Sequence, residues 1–491
     1  GEVVVHGQRA TVDVHTAEQP GPPGLPALAW PRRIGLEVAP VYRDAETEEV
    51  YPYLLASLRR QLTEALECAA YRYACTATPL GPPHPTALGR RHLEPAAQEV
   101  DRRLAEASGT FRFLLQVTPV NARETKARFF EGGCEQGPTF QYRPLPVDPE
   151  RLKRDLFALP VEAVEDPVLA ELFREKQEEL DRRVTMLRDR GTRRFFYGSL
   201  ALYGEPSEAL RALAHELLAR LPDSDDPAAE AAPPGTVDAA GFAAAAAAEF
   251  DAYRAACPDF PAYPDLRGDI PPGLLVSQGQ LLIGQGTTVP HARVEALVQH
   301  EVGTHMATYY NGRAQPLEVL RIGLAHYEAL QEGLAVLAEY VVGGLTVPRL
   351  RVLAARVVAA QALIDDASFV EVFRLLTREH GFDRDTAWTV AMRTFRGGGM
   401  IKDVIYLRGL DELARHLREG GALEPLLVGK LALHHLPAVE ALRRRGVLSA
   451  PLLRPRWLDA PHAPEALERL RAGLTFVDLF ARSPEPSTPP A

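Results

Sequence analysis

The chain has 491 residues, 46% of them hydrophobic and 24% charged, enough apolar material for two or three domain cores. Its net charge of −10 excludes a general nucleic-acid binder, which carries a basic excess, and weighs against a surface built to hold an acidic polymer. No run approaches the roughly 18 apolar residues of a membrane span. No basic segment followed by an apolar stretch opens the chain, so a cytoplasmic location is expected. The four cysteines, Cys68, Cys75, Cys134 and Cys257, lack C-x-x-C spacing and are expected as free thiols.

Residues 1–45 read as an N-terminal arm, with β-prone pieces at Glu2–Val5, Ala10–Val14 and Arg33–Val38 around a Pro-rich run, Pro20–Pro26. A mostly helical α/β region is expected over 46–220. It opens with Glu48–Ala74, where Leu54, Leu58, Leu62 and Leu66 recur at i+4, and continues in Glu94–Ala107. Phe111–Val117 is the best strand candidate of this half, followed by a helix from Arg123 to Phe130. The charged stretch Arg151–Arg190 predicts long amphipathic helices with a solvated face. Residues 221–241 lack periodicity and read as a linker or mobile loop. The catalytic core is expected over 242–450 and a C-terminal extension with a Pro-rich tail over 451–491. Many helices and few short strands make the expected fold class α+β, predominantly helical.

Within that core, Val294–Leu345 carries the chemistry. His300, Glu301 and His305 form H-E-x-x-x-H, and Glu332 follows inside Q-E-G-L-A. Catalytic zinc takes three protein ligands from imidazole and carboxylate groups and keeps a fourth position for water. In H-E-x-x-H peptidases the histidines lie one helical turn apart. Here they are one residue further apart, and at about 100° per residue they diverge by roughly 140° on a regular helix. A π-type bulge with i→i+5 bonding realigns them. Gly303, between the histidines, eases such a distortion. Leu274–Gly284 reads as a strand or hairpin before this helix, and a second helix carrying the carboxylate is expected after an Asn311–Gly312 turn. The order is that of zincins with Glu as third ligand.

HEVGTH together with QEGLA resembles the bacterial flavohemoglobin expression-modulating QEGLA-motif proteins and, through them, the microtubule-associated tyrosine carboxypeptidases. FLLQVTPVNARETKARFF, FQYRPLPVDPERLKRDLF and KDVIYLRG extend the resemblance over about 111–410. It implies a zincin-like core, one Zn2+ per chain held by His300, His305 and Glu332, with Glu301 as general base. It also implies removal of a C-terminal residue, tyrosine in the case of α-tubulin, from a peptide or protein.

A carboxypeptidase needs a cation for the terminal carboxylate, and Met392–Gly409 supplies several around three glycines that could bring backbone close to a ligand. Lys402, Arg396 and Arg393 are the expected substrate contacts, and Tyr406 the hydroxyl donor to the developing oxyanion. Glu339, seven residues beyond Glu332 and on nearly the same face, and Glu328, four residues before it, are equal candidates to orient a ligand imidazole. His326 is placed some 120° from Glu332 on the second helix. The side chains of His434 and His435 are expected to diverge towards solvent. The reading is a zinc metallo-carboxypeptidase, without nucleic-acid or membrane partners. The alternatives left open are a zinc-binding regulatory protein without turnover, an endopeptidase or an aminopeptidase, and the oligomeric state is also open.

Overall fold

The computed structural model describes residues 2–5, 8–17, 33–221, 235–270 and 272–480, with side chains from residue 38 onward. The Pro20–Pro26 run, residues 222–234 of the expected linker and the Pro-rich tail lie outside the described residues. Helices dominate and strands are few and short, a predominantly helical α+β fold. Among the described residues no helix is long and apolar enough to cross a membrane. All four cysteines are free.

Two compact units divide the chain, residues 1–97 with 160–171, and residues 98–159 with 172–491. In the first, β1 (Glu2–Val5), β2 (Gln8–Ala17) and β3 (Arg33–Val38) form an antiparallel sheet in that order, in register at Val3↔Ala10 and Val14↔Leu36. Helix α1 (Pro52–Ala77) begins on a proline, whose fixed φ suits a first turn. Arg59 of α1 donates to the Glu162 carbonyl at 2.9 Å.

The second unit holds α2 (Pro167–Arg188) from residue 172 onward, α3 (Ala239–Ala256) and a three-stranded sheet. In that sheet β5 (Asp265–Arg267) runs parallel to β7 (Gln280–Gly284), and β6 (Leu274–Ser277) pairs antiparallel on the other side of β7. Within the expected linker, β4 (Thr236–Asp238) is ordered by pairing with β8 (Thr288–Pro290). Phe242 and Phe250 of α3 and Leu281 and Ile283 of β7 bury themselves against Val298, Val302 and Met306. These last three belong to one rod made of α4 (Val294–His300), a π-helical turn (Glu301–Met306) and α5 (Ala307–Arg313).

Helix α6 (Glu328–Val341) is apolar on nearly every side and is buried accordingly, with Leu330, Leu334, Val336 and Leu337 all at 2% exposure or less. It meets α9 (Ile405–Arg418) at Gly333 and Gly409. A Cβ on Gly409 would lie 1.8 Å from the Ala329 carbonyl oxygen, and one on Gly333 2.4 Å from the Gly409 carbonyl carbon. Only glycine permits that backbone contact. Helices α7 (Val347–Ile364) and α8 (Arg384–Phe395) complete the surroundings of the site.

Three expectations are corrected. Phe111–Val117 is no strand: Phe113–Val117 is a short helix that buries Phe113, Gln116 and Val117, an i, i+3, i+4 face. A short apolar run carries too little periodicity to separate the two. Asn311 and Gly312 lie inside α5 rather than in a turn. Asn311 Nδ2 donates to the carbonyls of Leu427 and Leu453, each at 2.8 Å, and a Cβ on Gly312 would lie 2.3 Å from the Leu320 oxygen, so both serve close packing. The charges of α2 are not all solvated, since Lys176 and Glu179 are buried as an ion pair and Arg183 adds a second contact to Glu179 at 2.7 Å.

Candidate metal centre

The rod that carries the H-E-x-x-x-H residues widens where the sequence spacing requires it. Glu301–Met306 is a single π-turn, and Thr304 Oγ1 donates to the Gln299 carbonyl five residues earlier at 3.0 Å. Gly303 sits at the tightest point, where a Cβ would come 2.3 Å from Gln299 Oε1 and 3.2 Å from Trp457 Cδ1. The added residue per turn returns both imidazoles to one side. Their ring centroids are 4.9 Å apart, with planes at 88°.

Glu332 arrives from α6. Its Oε2 lies 3.7 Å from His300 Nε2 and 3.7 Å from His305 Nε2, and the three donor atoms fall within 4.8 Å of one another. That oxygen is buried and has no hydrogen-bond partner among the described residues. Two ligands each about 2.1 Å from a shared tetrahedral ion stand roughly 3.4 Å apart, so the donor set fits a small divalent metal. A hydrogen bond of 2.8 Å between the Thr308 and Gln331 side chains ties the rod to α6 beside the carboxylate.

His300 is held by a second carboxylate. Its Nδ1 lies 2.8 Å from Glu339 Oε1, while Arg293 Nη2 donates to Glu339 Oε2 at 2.6 Å and Arg349 Nη2 to Oε1 at 3.4 Å. Burial pushes the Glu339 carboxyl up, but Arg349, His300 and Arg293 together hold it well below the usual carboxylate range. The anion fixes the proton on Nδ1 and leaves the Nε2 lone pair facing Glu332.

A cavity of about 240 Å³ opens onto this cluster, and Glu301, Arg393, Arg396, Lys402 and Tyr406 line it. Arg393 is paired with Asp403, Nη2 to Oδ1 at 2.9 Å. The same carboxylate lies 3.7 Å from Arg356 Nε and 3.8 Å from Arg396 Nη2, so one Asp faces three guanidinium groups. Arg396 Nε is buried without a hydrogen-bond partner among the described residues. Lys402 Nζ pairs with Glu328 Oε1 at 3.2 Å, and Glu328 Oε2 takes Arg183 at 3.0 Å. The Tyr406 ring is covered by the Arg356 guanidinium, 4.4 Å from its centroid, and burial raises its pKa, so its hydroxyl stays protonated.

Several residues sit elsewhere than expected. Glu328 touches Lys402 and Arg183 rather than a ligand imidazole, because four residues back from Glu332 lies at the first turn of α6. Two of the three glycines of Arg396–Gly399 pack tightly on protein: a Cβ on Gly397 would meet the Phe195 ring at 2.4 Å and one on Gly398 the Thr192 oxygen at 2.5 Å. His326 precedes α6 in left-handed backbone, φ 57°, and lines a separate cavity of about 590 Å³ with Arg408, Glu412 and His434. That larger cavity contains none of His300, His305 and Glu332. His434 and His435 do not diverge, since both Nε2 atoms reach Glu175 Oε2, at 3.5 and 2.8 Å, and His435 is buried. His435 Nδ1 accepts the Ala432 N–H at 3.2 Å, so its proton is on Nε2, where it donates to Glu175.

Lys430 was missed from sequence. It lines the metal-side cavity between the rings of Tyr309 and Tyr327, its Nζ 5.6 and 5.7 Å from their centroids, with no ion-pair partner among the described residues. Burial draws its pKa down to about 8 against the pull of Glu332 and Glu328. Val-Gly-Lys carries no motif or periodicity that could have singled it out.

The family model for microtubule-associated tyrosine carboxypeptidases matches residues 127–474, a span that contains every residue of the metal cluster and its cationic surround. The chain belongs to that family. No curated protein matches it.

Proposed function

We propose that this protein is a zinc-dependent carboxypeptidase that removes a C-terminal residue, with tyrosine as the first candidate, and that it stands in the QEGLA-motif branch of its family. The observation that carries the reading is the Glu332 oxygen, buried without a hydrogen-bond partner among the described residues and facing two imidazole nitrogens, one of them on a ring already oriented by Glu339. A structural zinc site closes its fourth position with another His or Cys, whereas the cavity wall here adds Glu301 and no further His or Cys.

His300, His305 and Glu332 would hold the ion, which when bound supplies Lewis acidity towards the scissile carbonyl and the attacking water. Glu301 takes the proton of that water and delivers it to the leaving amine. The Tyr406 hydroxyl donates to the carbonyl oxygen as negative charge develops there. Arg396, with an unpartnered N–H and two further guanidiniums sharing its one carboxylate, receives the substrate's terminal carboxylate, and Lys402 adds positive charge beside it. Arg393, bidentate to Asp403, holds that anion site in place.

The test is hydrolysis of peptides differing only in their C-terminal residue, by zinc-loaded protein and by Glu301→Gln, with products read by mass. Loss of one residue with the wild type alone is expected. Equal release by Glu301→Gln or by metal-free protein overturns the reading.

A further inference from the structure

Tyr327 is the N-cap residue of α6 and lines the metal-side cavity together with Glu332, five positions further on. Its ring is clamped. A Cβ on Gly323 would lie 2.3 Å from that ring, and two ammonium groups stand over it, Lys430 Nζ 5.7 Å and Lys176 Nζ 5.8 Å from the centroid. The hydroxyl, by contrast, has no hydrogen-bond partner among the described residues: Glu328, Arg183, Glu179 and Glu332 act on it through their charges alone. Glu328 is already taken by Lys402 and Arg183, and Glu179 by Lys176 and Arg183. Burial and the Glu328 carboxylate raise the pKa of the phenol, so it stays protonated. A tyrosine hydroxyl in such surroundings ordinarily finds a partner, and this one is left as a donor on a cavity wall.

Its place on that wall sets what it can reach. Tyr327 also lines an adjoining groove of about 450 Å³, which Arg393, Arg396, Lys402 and Tyr406 do not. The groove is mixed in character, with Phe111, Phe113 and Ile322 beside Arg112, Arg321 and Lys430. With the substrate's terminal carboxylate at Arg396 and the scissile carbonyl at Tyr406, the chain upstream leaves the cavity where it meets the groove, past Tyr327.

We propose that the Tyr327 hydroxyl donates a hydrogen bond to the substrate's main-chain carbonyl one residue upstream of the scissile carbonyl. The inference rests on the carboxypeptidase reading and narrows the substrate class to chains whose penultimate residue is acylated, a tripeptide or longer rather than a free dipeptide. Because the ring is held before substrate arrives, the donor is in place at little ordering cost. The two tyrosines of the cavity then share one design, a phenol fixed by cations over its ring. Arg356 covers Tyr406, whose hydroxyl serves the scissile carbonyl, and Lys430 and Lys176 cover Tyr327, whose hydroxyl serves the next one.

The experiment compares two substrates of the zinc-loaded protein that share a terminal tyrosine and the scissile amide. N-acetyl-Phe-Tyr carries the upstream carbonyl, whereas hydrocinnamoyl-Tyr keeps the benzyl group and lacks that amide. If the C-terminal peptide series shows a preference for another last residue, it replaces tyrosine in both. Wild type is expected to favour the acetylated compound by about tenfold in kcat/KM. Tyr327→Phe keeps the ring, and should lose about tenfold on N-acetyl-Phe-Tyr while hardly changing on hydrocinnamoyl-Tyr, so that the two substrates converge. A merely structural role would lower both alike, and a donor to the oxyanion would lower kcat for both. Either result overturns the upstream hydrogen bond while the carboxypeptidase stands. Should the variant not fold, the wild type decides, since equal kcat/KM for the two compounds overturns the proposal. No release from either compound or from any peptide of the series overturns both readings.

Discussion

His300 Nδ1 and Glu339 Oε1 lie 2.8 Å apart, a contact between residues 39 positions apart in sequence and both almost wholly buried. Glu339 thereby couples the rod to α6, because it stands seven residues, two turns, beyond Glu332 on the same helix face. One helix thus supplies both a carboxylate facing the imidazoles and the carboxylate that orients one of them. Glu339→Gln keeps an acceptor for the Nδ1–H but removes the negative charge. Zinc affinity, measured by competition with a chromophoric chelator, is expected to fall about 10–100-fold. Affinity within twofold of wild type in a folded variant would show that the contact does not tune the site.

The glycine of Q-E-G-L-A has its partner in the glycine of Y-L-R-G. Gly333 and Gly409 bring the α6 and α9 backbones together one residue from Glu332. Gly409→Ala would drive a methyl group into the Ala329 carbonyl, which has no flexible end to move. A loss of about 3 kcal/mol is expected in urea unfolding, with weaker zinc binding as α6 shifts. Gly109→Ala, where no atom lies within 4 Å of the added carbon, serves as control and should stay within about 0.5 kcal/mol.

Arg396 has a donor to spare, whereas Arg393 and Lys402 are already matched with Asp403 and Glu328. Arg396→Gln should therefore raise KM about 10–100-fold for peptides ending in a free carboxylate, the worth of one hydrogen bond to a charged group. The same variant should lose most of the wild type's preference for a free acid over a C-terminal amide. Retention of that preference would move the carboxylate site to Lys430, a cation of the cavity with no ion-pair partner among the described residues.

Tyr406 makes the sharpest contrast between kcat and KM. Its ring is held by Arg356 and needs no hydroxyl to stay in place, so Tyr406→Phe should fold normally. Removal of one donor from the developing oxyanion is expected to lower kcat about 10²-fold with KM little changed. An unaltered kcat would leave the ring a packing role only.

What could be read from sequence was local. The widened H-E-x-x-x-H turn follows from helix geometry and the placement of Glu339 from a spacing of seven, while Leu274–Gly284 reads as a strand or hairpin and folds as the hairpin. What could not be read depends on chain that arrives from far away. Asn311–Gly312 has the composition of a turn, but the Leu427 and Leu453 carbonyls claim the Asn side chain and hold both residues in helix. Lys176 looks like a solvated charge on an amphipathic helix until Glu179 and Arg183 are buried around it. Glu328 and Glu339 are equal candidates by spacing, and Glu339 is the one that meets His300, since spacing along one helix cannot say where that imidazole comes to rest.

Glu175 illustrates the same point and yields a pH prediction. It accepts from His435, 260 residues away, at 2.8 Å, and faces His434 at 3.5 Å. Burial pushes its carboxyl up, but the hydrogen bonds of both histidines outweigh that and bring its pKa down to about 2, against 4.5 for a free side chain. A group whose pKa is lower folded than unfolded contributes stability fully above the unfolded value and loses it as pH falls through the folded one. The contribution is thus complete above pH 4.5 and fades towards pH 2. Burial also lowers the pKa of His435 below 6.5, so its neutral form is favoured on folding and acid weakens the fold from that side as well. The full carboxyl shift corresponds to about 3 kcal/mol, and since the Glu175 side chain is 32% exposed, screening reduces it to about 1–2 kcal/mol. The stability difference between wild type and Glu175→Gln, from urea melts across pH 2.5 to 7, should be constant at the upper end and shrink below about pH 4.5. A difference that does not vary with pH would mean that Glu175 ionises alike in the folded and unfolded chains, and that its contacts with the histidines are no stronger than those it makes with water.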